Sequence, residues 1–490
     1  MRFKYILNSL SWMMVLYGGL IFVPCFVALY YREWSAIMPF AGVALVTVIV
    51  GLILQRYTLE YQNLNNVKKP EALFIVSATW FLLTIISAIP YIFFGLSPIN
   101  AFFEAASGTS TTGASILTDY TIYPKTFFFW RSFTQWIGGM GIIVLFVAIL
   151  PQFKVAGRQM FFAEAPGPTD EKITPRIRHT ATALWGVYIF LTILEVIALM
   201  AFGMPGFDAV CNSFSTLSGG GFSPNGLSIM GYNNSAFVWI ISFFLFLASA
   251  NFALQYKVLT KFKLRYLLES EEFRLLCKIV LFLSVSIALF LHFYDGYSVS
   301  TSIRDAIFQV CSLISTAGFA SVDFNNWCVG AKVLLFTTFF VGGCAGSAAG
   351  GIKVVRVLFG FKYLKRELVQ IVHPRAVLPI KIDKKPLSHD VLRQILGFLI
   401  FYFVIAIFSC IITSIIEENV VVGITGTFTT LGNAGPGYGP IGPMGNFDSL
   451  SSVTKFIFSM NMIIGRLELI PFLAMLYPDF WTRSSGYEAK

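Results

Sequence analysis

The chain has 490 residues, of which 56% are hydrophobic and only 12% charged, with a mean hydropathy of +0.73. A soluble domain normally carries about 25% charged residues, so this sequence has too little polar surface to cover itself in water. The formal charge of +10 does not point to nucleic acid, because the basic residues punctuate apolar runs instead of forming one patch, as orientation signals do.

Ten apolar runs approach the length of about 20 residues that spans a bilayer as a helix. They lie near 8–31, 35–54, 72–94, 128–150, 180–203, 236–255, 275–294, 331–356, 391–416 and 454–477. The first follows Met1-Arg2-Phe3-Lys4 and has no small-x-small cleavage site behind it, which predicts a retained membrane helix and not a signal peptide. Connections after even-numbered spans are basic. They carry Arg56, Lys68 and Lys69, then Lys154, Arg158, Lys172, Arg176 and Arg178, then Lys257, Lys261, Lys263 and Arg265, and finally Lys362, Lys365, Arg366, Arg375, Lys381, Lys384 and Lys385. The opposite connections hold few bases and include Asp119, Asp295, Glu417, Glu418 and Asp448. The positive-inside rule then predicts both termini in the cytoplasm.

Seven cysteines (25, 211, 277, 311, 328, 344, 410) contain no CxxC pair and read as small apolar residues. Four histidines (179, 292, 373, 389) have no second ligand at helical spacing, so no metal site is expected. No convergent His, Asp or Cys constellation suggests an enzyme.

The outward connections after spans 3, 5, 7 and 9 form an internal repeat. Three align without gaps: Asn100 to Gly113, Asp208 to Gly221 and Asp305 to Gly318. Each opens with Asn or Asp followed by Ala, and each has a serine three residues before the closing glycine: Ser110, Ser218 and Ser315. The fourth copy, Phe428 to Gly437, is more divergent and lacks the acidic or amide opener. Asn100, Asp208 and Asp305 are expected as N-caps of short re-entrant helices. Such a helix points its negative end toward the bilayer centre, where a cation needs stabilising. The chain must then return as irregular backbone, which is tolerated at membrane depth only around a water-filled path. There, carbonyls replace an ion's water shell. The candidate ion-binding residues are Thr111, Thr112 and Gly113; Gly219, Gly220 and Gly221; Thr316, Ala317 and Gly318; and Asn433, Ala434 and Gly435. Repeat spacing favours Gly221 among the three consecutive glycines.

The eighth span is interrupted by Gly342, Gly343, Gly346, Gly350 and Gly351. Each glycine disfavours a helix by about 1 kcal/mol relative to alanine. A break at this depth predicts a loop that lines or obstructs the pore; a small-residue packing face is the alternative. Arg466 lies within the last span, where a charge normally faces the bundle interior or water. A pore-side role near the gate is expected, and an ion pair with Glu468 is the alternative. Glu104, in the first pore segment, is the visible candidate for a residue that could couple transport to protons or sodium.

Ser110-Thr111-Thr112-Gly113-Ala114-Ser115, Ser215-Thr216-Leu217-Ser218-Gly219-Gly220-Gly221-Phe222-Ser223, Ser315-Thr316-Ala317-Gly318-Phe319 and Gly432-Asn433-Ala434-Gly435-Pro436-Gly437 together resemble the Trk/Ktr/HKT superfamily of potassium transporters, in its bacterial TrkH-like branch. Further similar segments are Gly138-Gly139-Met140-Gly141, Asn251-Phe252-Ala253-Leu254, Gly342 to Gly346, Gly350 to Lys353, and Gly465-Arg466. Ala348-Ala349 departs from the pattern of many relatives. The resemblance covers nearly the whole chain. It implies an all-α polytopic membrane protein with four helix–pore-loop–helix repeats around a central pore and two extra N-terminal transmembrane helices. The corresponding units are 1–66 for the extra helices, then 67–156, 157–266, 267–386 and 387–490. It also implies potassium uptake across a bacterial inner membrane, with potassium as the transported ion and no organic cofactor in this chain. A homodimer and a cytosolic nucleotide-binding regulatory subunit are implied as partners. Gly113 favours potassium over sodium within this family. A sodium- or proton-coupled symporter of the same fold is the competing expectation.

Overall fold

The computed structural model describes residues 1–61, 69–141, 177–376, 378–387 and 389–482. Their regular secondary structure is helical apart from a short hairpin in which Lys381–Ile382 pairs antiparallel with Lys385–Pro386. Six helices are long and apolar enough to cross a membrane, or seven if one bent pair counts as a single span. The chain is an all-α polytopic membrane protein. Its apolar surface is turned outward along these helices, as Ile400, Phe408, Ile411 and Ile415 illustrate. Such a surface is matched to lipid and not to water.

Two helical segments, α1 (Phe3–Ile21) and α2 (Val23–Tyr31), form the first span, and α3 (Trp34–Tyr57) returns beside it. Gly18 and Gly51 lie where these helices cross. A Cβ at either would press on Val48 or Val15 respectively, so the missing side chains allow the close approach. The hairpin is joined to the body through Glu33. Its carboxylate accepts from the backbone N–H groups of Lys125 and Thr126 at 2.8 and 2.9 Å. These are orphan donors at the start of a helix whose own N-cap, Pro124, has no side-chain acceptor.

Four helix–short helix–helix units follow. The first contains α4 (Lys69–Phe93), α5 (Pro98–Thr109) and α6 (Lys125–Gly139). The second contains α7 (Ile177–Ala201), α8 (Gly206–Ser218), α9 (Ser235–Ser249) and α10 (Phe252–Lys261). After α11 (Arg265–Glu269), the third contains α12 (Glu271–Phe293), α13 (Val299–Ile314), α14 (Val329–Phe336) and α15 (Val354–Val372). The fourth contains α16 (His389–Ile416), α17 (Val420–Leu431), α18 (Ser452–Arg466) and α19 (Ile470–Leu476). The short helices α5, α8, α13 and α17 are mostly buried. At 12 to 16 residues they are too short to span.

The ten spans expected from hydropathy are not ten continuous helices. The sixth bends by 104° between α9 and α10. The eighth opens into an irregular segment between Val341 and Lys353, and the tenth breaks at Glu468 and Leu469, which both adopt positive φ. The fourth expected span extends past Gly141 into residues outside those described, as do the boundaries expected at 66/67 and 156/157. The glycines signal the break in the eighth span, but averaged hydropathy does not register those at Asn251 or Glu468, because one polar residue among many apolar ones barely lowers a window mean. The breaks in units 2, 3 and 4, together with the end of α6, all fall on the final helix of a unit.

Candidate ion pathway and gate

The short helices begin earlier than the repeat alignment suggested. Ser97 caps α5 through Asn100 N–H, and Ser298 caps α13 through Thr301 N–H. Pro205 precedes α8 without a side-chain cap. Asn100, Asp208 and Asp305 are therefore inside their helices and are not N-caps. The fourth copy is also not capless: Asn419 accepts from Val421 and Val422 N–H. The aligned Asn or Asp residues do other work. Asn100 bonds Asp448 and Lys455, and Asp305 pairs with Arg304 at 2.8 Å.

Beyond each short helix the backbone takes the same unusual course. Positive φ occurs at Thr111 and Gly113, at Gly219 and Gly221, at Thr316 and Gly318, and at Asn433 and Gly435. This common register pairs Gly221, with φ +76°, with Gly113, Gly318 and Gly435. It also pairs Gly219 with Thr111, Thr316 and Asn433. The left-handed region costs about 1–2 kcal/mol for an L-residue with a Cβ. Two β-branched threonines held there are strongly constrained by their surroundings.

The four loops close on one another. A Cβ on Gly113 would overlap the Gly220 carbonyl oxygen, and one on Gly221 would overlap that of Ala317. A Cβ on Gly318 would overlap the Ala434 carbonyl, and one on Gly435 would lie 2.9 Å from that of Thr112. Each glycine thus abuts the carbonyl that precedes the glycine of the next unit, and the fourth unit returns to the first. Four carbonyls, from Thr112, Gly220, Ala317 and Ala434, alternate with four glycines around a closed ring. Gly220 has a different reason to lack a side chain. Gln135 packs against its Cα, donates from Nε2 to its carbonyl at 2.6 Å, and accepts from Phe222 N–H at 3.1 Å.

The irregular segment of the third unit runs directly beneath this ring. Gly350 N–H donates to Thr316 Oγ1 at 2.9 Å, and a Cβ on Gly350 would lie 2.9 Å from both Asn433 Oδ1 and the Gly432 carbonyl. The segment is fastened across its own neck by Gly342 N–H to the Ile352 carbonyl (2.8 Å) and Val354 N–H to the Gly343 carbonyl (3.0 Å). It is also fastened to the bend of unit 2, where Cys344 N–H donates to the Ser249 carbonyl and Phe252 N–H donates to the Gly346 carbonyl. Gly346 and Gly351 have positive φ. Arg466 reaches this segment from α18. It donates to the Ala348 carbonyl at 2.8 Å and to the Gly138 and Gly139 carbonyls at 2.7 Å. It therefore ties the segment to the end of α6.

A family model described as the cation transport protein TrkH matches residues 43–478. The Trk system potassium uptake protein TrkH of Salmonella typhimurium is 37% identical over 489 residues, covering 98% of this chain and 100% of that protein. The Trk system potassium uptake protein TrkG of Escherichia coli is 30% identical over 482 residues and 98% of each chain. The crystal structure of the potassium transporter TrkH from Vibrio parahaemolyticus superimposes with a TM-score of 0.88 at 32% identity, covering 98% of this chain and 100% of that one. The chain belongs to the TrkH family. This is a family of transport proteins, not of enzymes.

Every candidate filter and gate residue of this TrkH-family chain lies in the ring or in the segment and cation beneath it. The suggested Arg466–Glu468 pair is not what Glu468 forms. Its carboxylate pairs with Lys353 at 2.6 Å and with Arg356, clasping the exit of the irregular segment to the break in the last span. Glu104 is likewise committed. It is fully buried, pairs with Arg131 Nε at 2.7 Å, and accepts from Ser115 Oγ and Ile116 N–H at 3.1 Å each. It staples the returning strand of unit 1 to α5 and α6.

Three further buried side chains beside these elements carried no repeat signal. Gln135 clamps the loop of unit 2. Glu272, buried at the start of α12, accepts from Ala345 N–H (2.7 Å) and Val355 N–H (3.0 Å), and so holds both sides of the irregular segment. Glu195 on α7 is fully buried beside Thr216, and neither carboxyl oxygen has a hydrogen-bond partner among the described residues. Thr216 directs its hydroxyl to the Asn212 carbonyl instead. An acidic residue within an apolar run was the available sign for Glu195.

Proposed function

We propose that this chain is a potassium uptake pore. The ring of Thr112, Gly220, Ala317 and Ala434 carbonyls is its selectivity filter, and the segment from Gly342 to Gly351, held by Arg466, is its gate. The observation that carries this reading is the cyclic closure of four equivalent loops, glycine against carbonyl. Carbonyl oxygens arranged around one axis replace an ion's hydration shell, and four short helices direct their negative ends toward the same place. The names of the curated relatives supply the ion. Thr111, Gly113, Gly219, Gly221, Thr316, Gly318, Asn433 and Gly435 set the backbone course that brings the carbonyls together. Uptake is downhill, since a negative interior contributes about 2.3 kcal/mol per elementary charge for each 100 mV.

The rest of the reading follows the same family. The protein resides in the bacterial inner membrane with both termini cytoplasmic, according to its basic connections. Its units divide as 1–66, 67–156, 157–266, 267–386 and 387–490. It works as a homodimer with a cytosolic nucleotide-binding regulatory subunit. Dimerisation is supported by the exposed apolar stripe of Phe361, Leu364, Leu368 and Ile371 on α15, which a second copy would cover.

The test is Gly113→Ser in proteoliposomes of purified protein, with potassium and sodium reversal potentials as the readout. The added side chain must displace the Gly220 carbonyl, so potassium selectivity falls by an order of magnitude or more. Unchanged selectivity would defeat the filter assignment. A second reading, proton-coupled symport through the same pore, is favoured by the buried carboxyl of Glu195, which has no hydrogen-bond partner among the described residues. A reversal potential that moves with pH at fixed potassium distinguishes it from a simple pore.

A further inference from the structure

The positions two residues before the filter glycines are not equivalent in chemistry. Unit 2 places Gly219 there, the residue for which a positive φ is free of steric penalty. Units 1, 3 and 4 hold Thr111, Thr316 and Asn433 in the same backbone conformation, at φ +59°, +57° and +57°. Glycine would serve the backbone better at all three. What these residues add is a side-chain oxygen, placed on the gate side of the carbonyl ring. All three are fully or almost fully buried. Thr111 Oγ1 and Asn433 Oδ1 have no hydrogen-bond partner among the described residues, although the amide nitrogen of Asn433 is fixed by Thr112 Oγ1 at 3.0 Å and the Met462 carbonyl at 2.9 Å. The orientation of that amide therefore leaves its oxygen toward Gly350, while Thr316 Oγ1 receives the Gly350 N–H. Buried oxygens without donors are rare and call for an explanation.

We infer that Thr316 Oγ1 and Asn433 Oδ1 are ligands of an inner binding site for a partly dehydrated monovalent cation, and that the Gly350 N–H of the gate segment competes with the cation for it. With the gate closed, the partial positive charge of that N–H occupies Thr316 Oγ1. When the gate withdraws, both oxygens face the conduction path and accept the cation. An ion in the inner site then opposes the return of Gly350, so occupancy and opening favour each other. Thr111 supplies a third oxygen at the corresponding point of unit 1, and Gly219 leaves the fourth quadrant without a side-chain ligand. This rests on the filter reading above, because the inner site is continuous with the carbonyl ring.

The experiment is single-channel recording of the full chain in planar bilayers, with potassium varied on the gate side only. Wild-type open probability is expected to rise with gate-side potassium. Thr316→Val keeps the branched shape and removes the oxygen. It should raise open probability at low potassium by about two- to tenfold, the worth of one hydrogen bond, and abolish the potassium dependence. Thr316→Ser retains the hydroxyl and should retain the dependence. Gly350→Ala changes no filter residue in sequence and sets a methyl group between the gate and Asn433 and the Gly432 carbonyl; it is expected to raise basal opening and flatten the dependence. It carries the test if the valine variant does not fold. Wild-type opening indifferent to gate-side potassium, or a valine variant as dependent as wild type, would overturn the inference. Wild-type potassium-to-sodium reversal potentials separate the two readings. An unselective wild type defeats the filter itself, whereas a selective wild type with potassium-independent opening defeats only the inner site.

Discussion

Glu104→Gln isolates the buried ion pair behind the returning strand of unit 1. The substitution preserves shape and leaves the Arg131 guanidinium, 1% exposed, without its counter-charge. Breaking a buried pair from one side typically costs about 3–5 kcal/mol. Arg131 keeps its bond to Ser115 Oγ at 3.0 Å and its place over the Phe222 ring at 3.9 Å, which puts the expected loss near the lower limit, about 3 kcal/mol. Glutamine also offers one acceptor oxygen where the carboxylate offers two, and its amide nitrogen would face either the Arg131 guanidinium or the Ser115 and Ile116 donors, donor against donor, so the returning strand loosens. The assay pairs thermal unfolding of the purified protein in detergent with potassium and sodium reversal potentials. The midpoint should fall by several degrees and selectivity should decline with it. Replacing both partners, Glu104→Leu with Arg131→Met, removes both desolvation penalties and should recover most of the midpoint while selectivity stays low, because Ser115 and Ile116 still lack an acceptor. A single variant within about 0.5 kcal/mol of wild type, the range of an ordinary surface change, would refute the reasoning. So would a double variant no more stable than the single one.

Arg466→Ala removes three charge-assisted hydrogen bonds that join the irregular segment, the proposed gate, to α6. Bonds to charged groups contribute about 1.5–3 kcal/mol each, so basal potassium flux into proteoliposomes should rise at least tenfold; flux equal to wild type would show that these contacts do not restrain the gate. Glu195→Leu replaces two buried oxygens that have no partner among the described residues with apolar surface. It should raise the unfolding midpoint, by an amount corresponding to about 1–3 kcal/mol of relieved desolvation. A lower midpoint would show that the carboxyl is bonded in the native protein.

The membrane class, the fourfold repeat and the loop glycines that take positive φ were legible before any coordinates. The reason is local. An apolar run must be long enough for the bilayer, and a backbone that leaves helical geometry at that depth needs glycine or a constrained polar residue at fixed spacing. The irregular segment of the third unit was visible for the same reason, since Gly342, Gly343, Gly346, Gly350 and Gly351 disfavour a helix wherever they occur together. The helix caps were misread because the repeat aligns best at Asn100, Asp208 and Asp305. Those residues are shared for contacts inside or beside the helix, while the caps Ser97, Ser298 and Asn419 lie upstream in less similar sequence.

The sequence by itself indicated a loop repeated four times between apolar spans, a glycine-rich break in the eighth span and an arginine within the last one. Only the tertiary structure decided that Gly113 abuts Gly220 and Gly435 abuts Thr112, that Glu104 belongs to Arg131, that Glu468 belongs to Lys353 and Arg356, and that Gly350 touches Thr316. Hydropathy and spacing encode what each segment requires of its solvent and its own backbone. Pairings between residues tens to hundreds of positions apart arise only when the units pack on one another, and no local pattern records which donor then meets which oxygen.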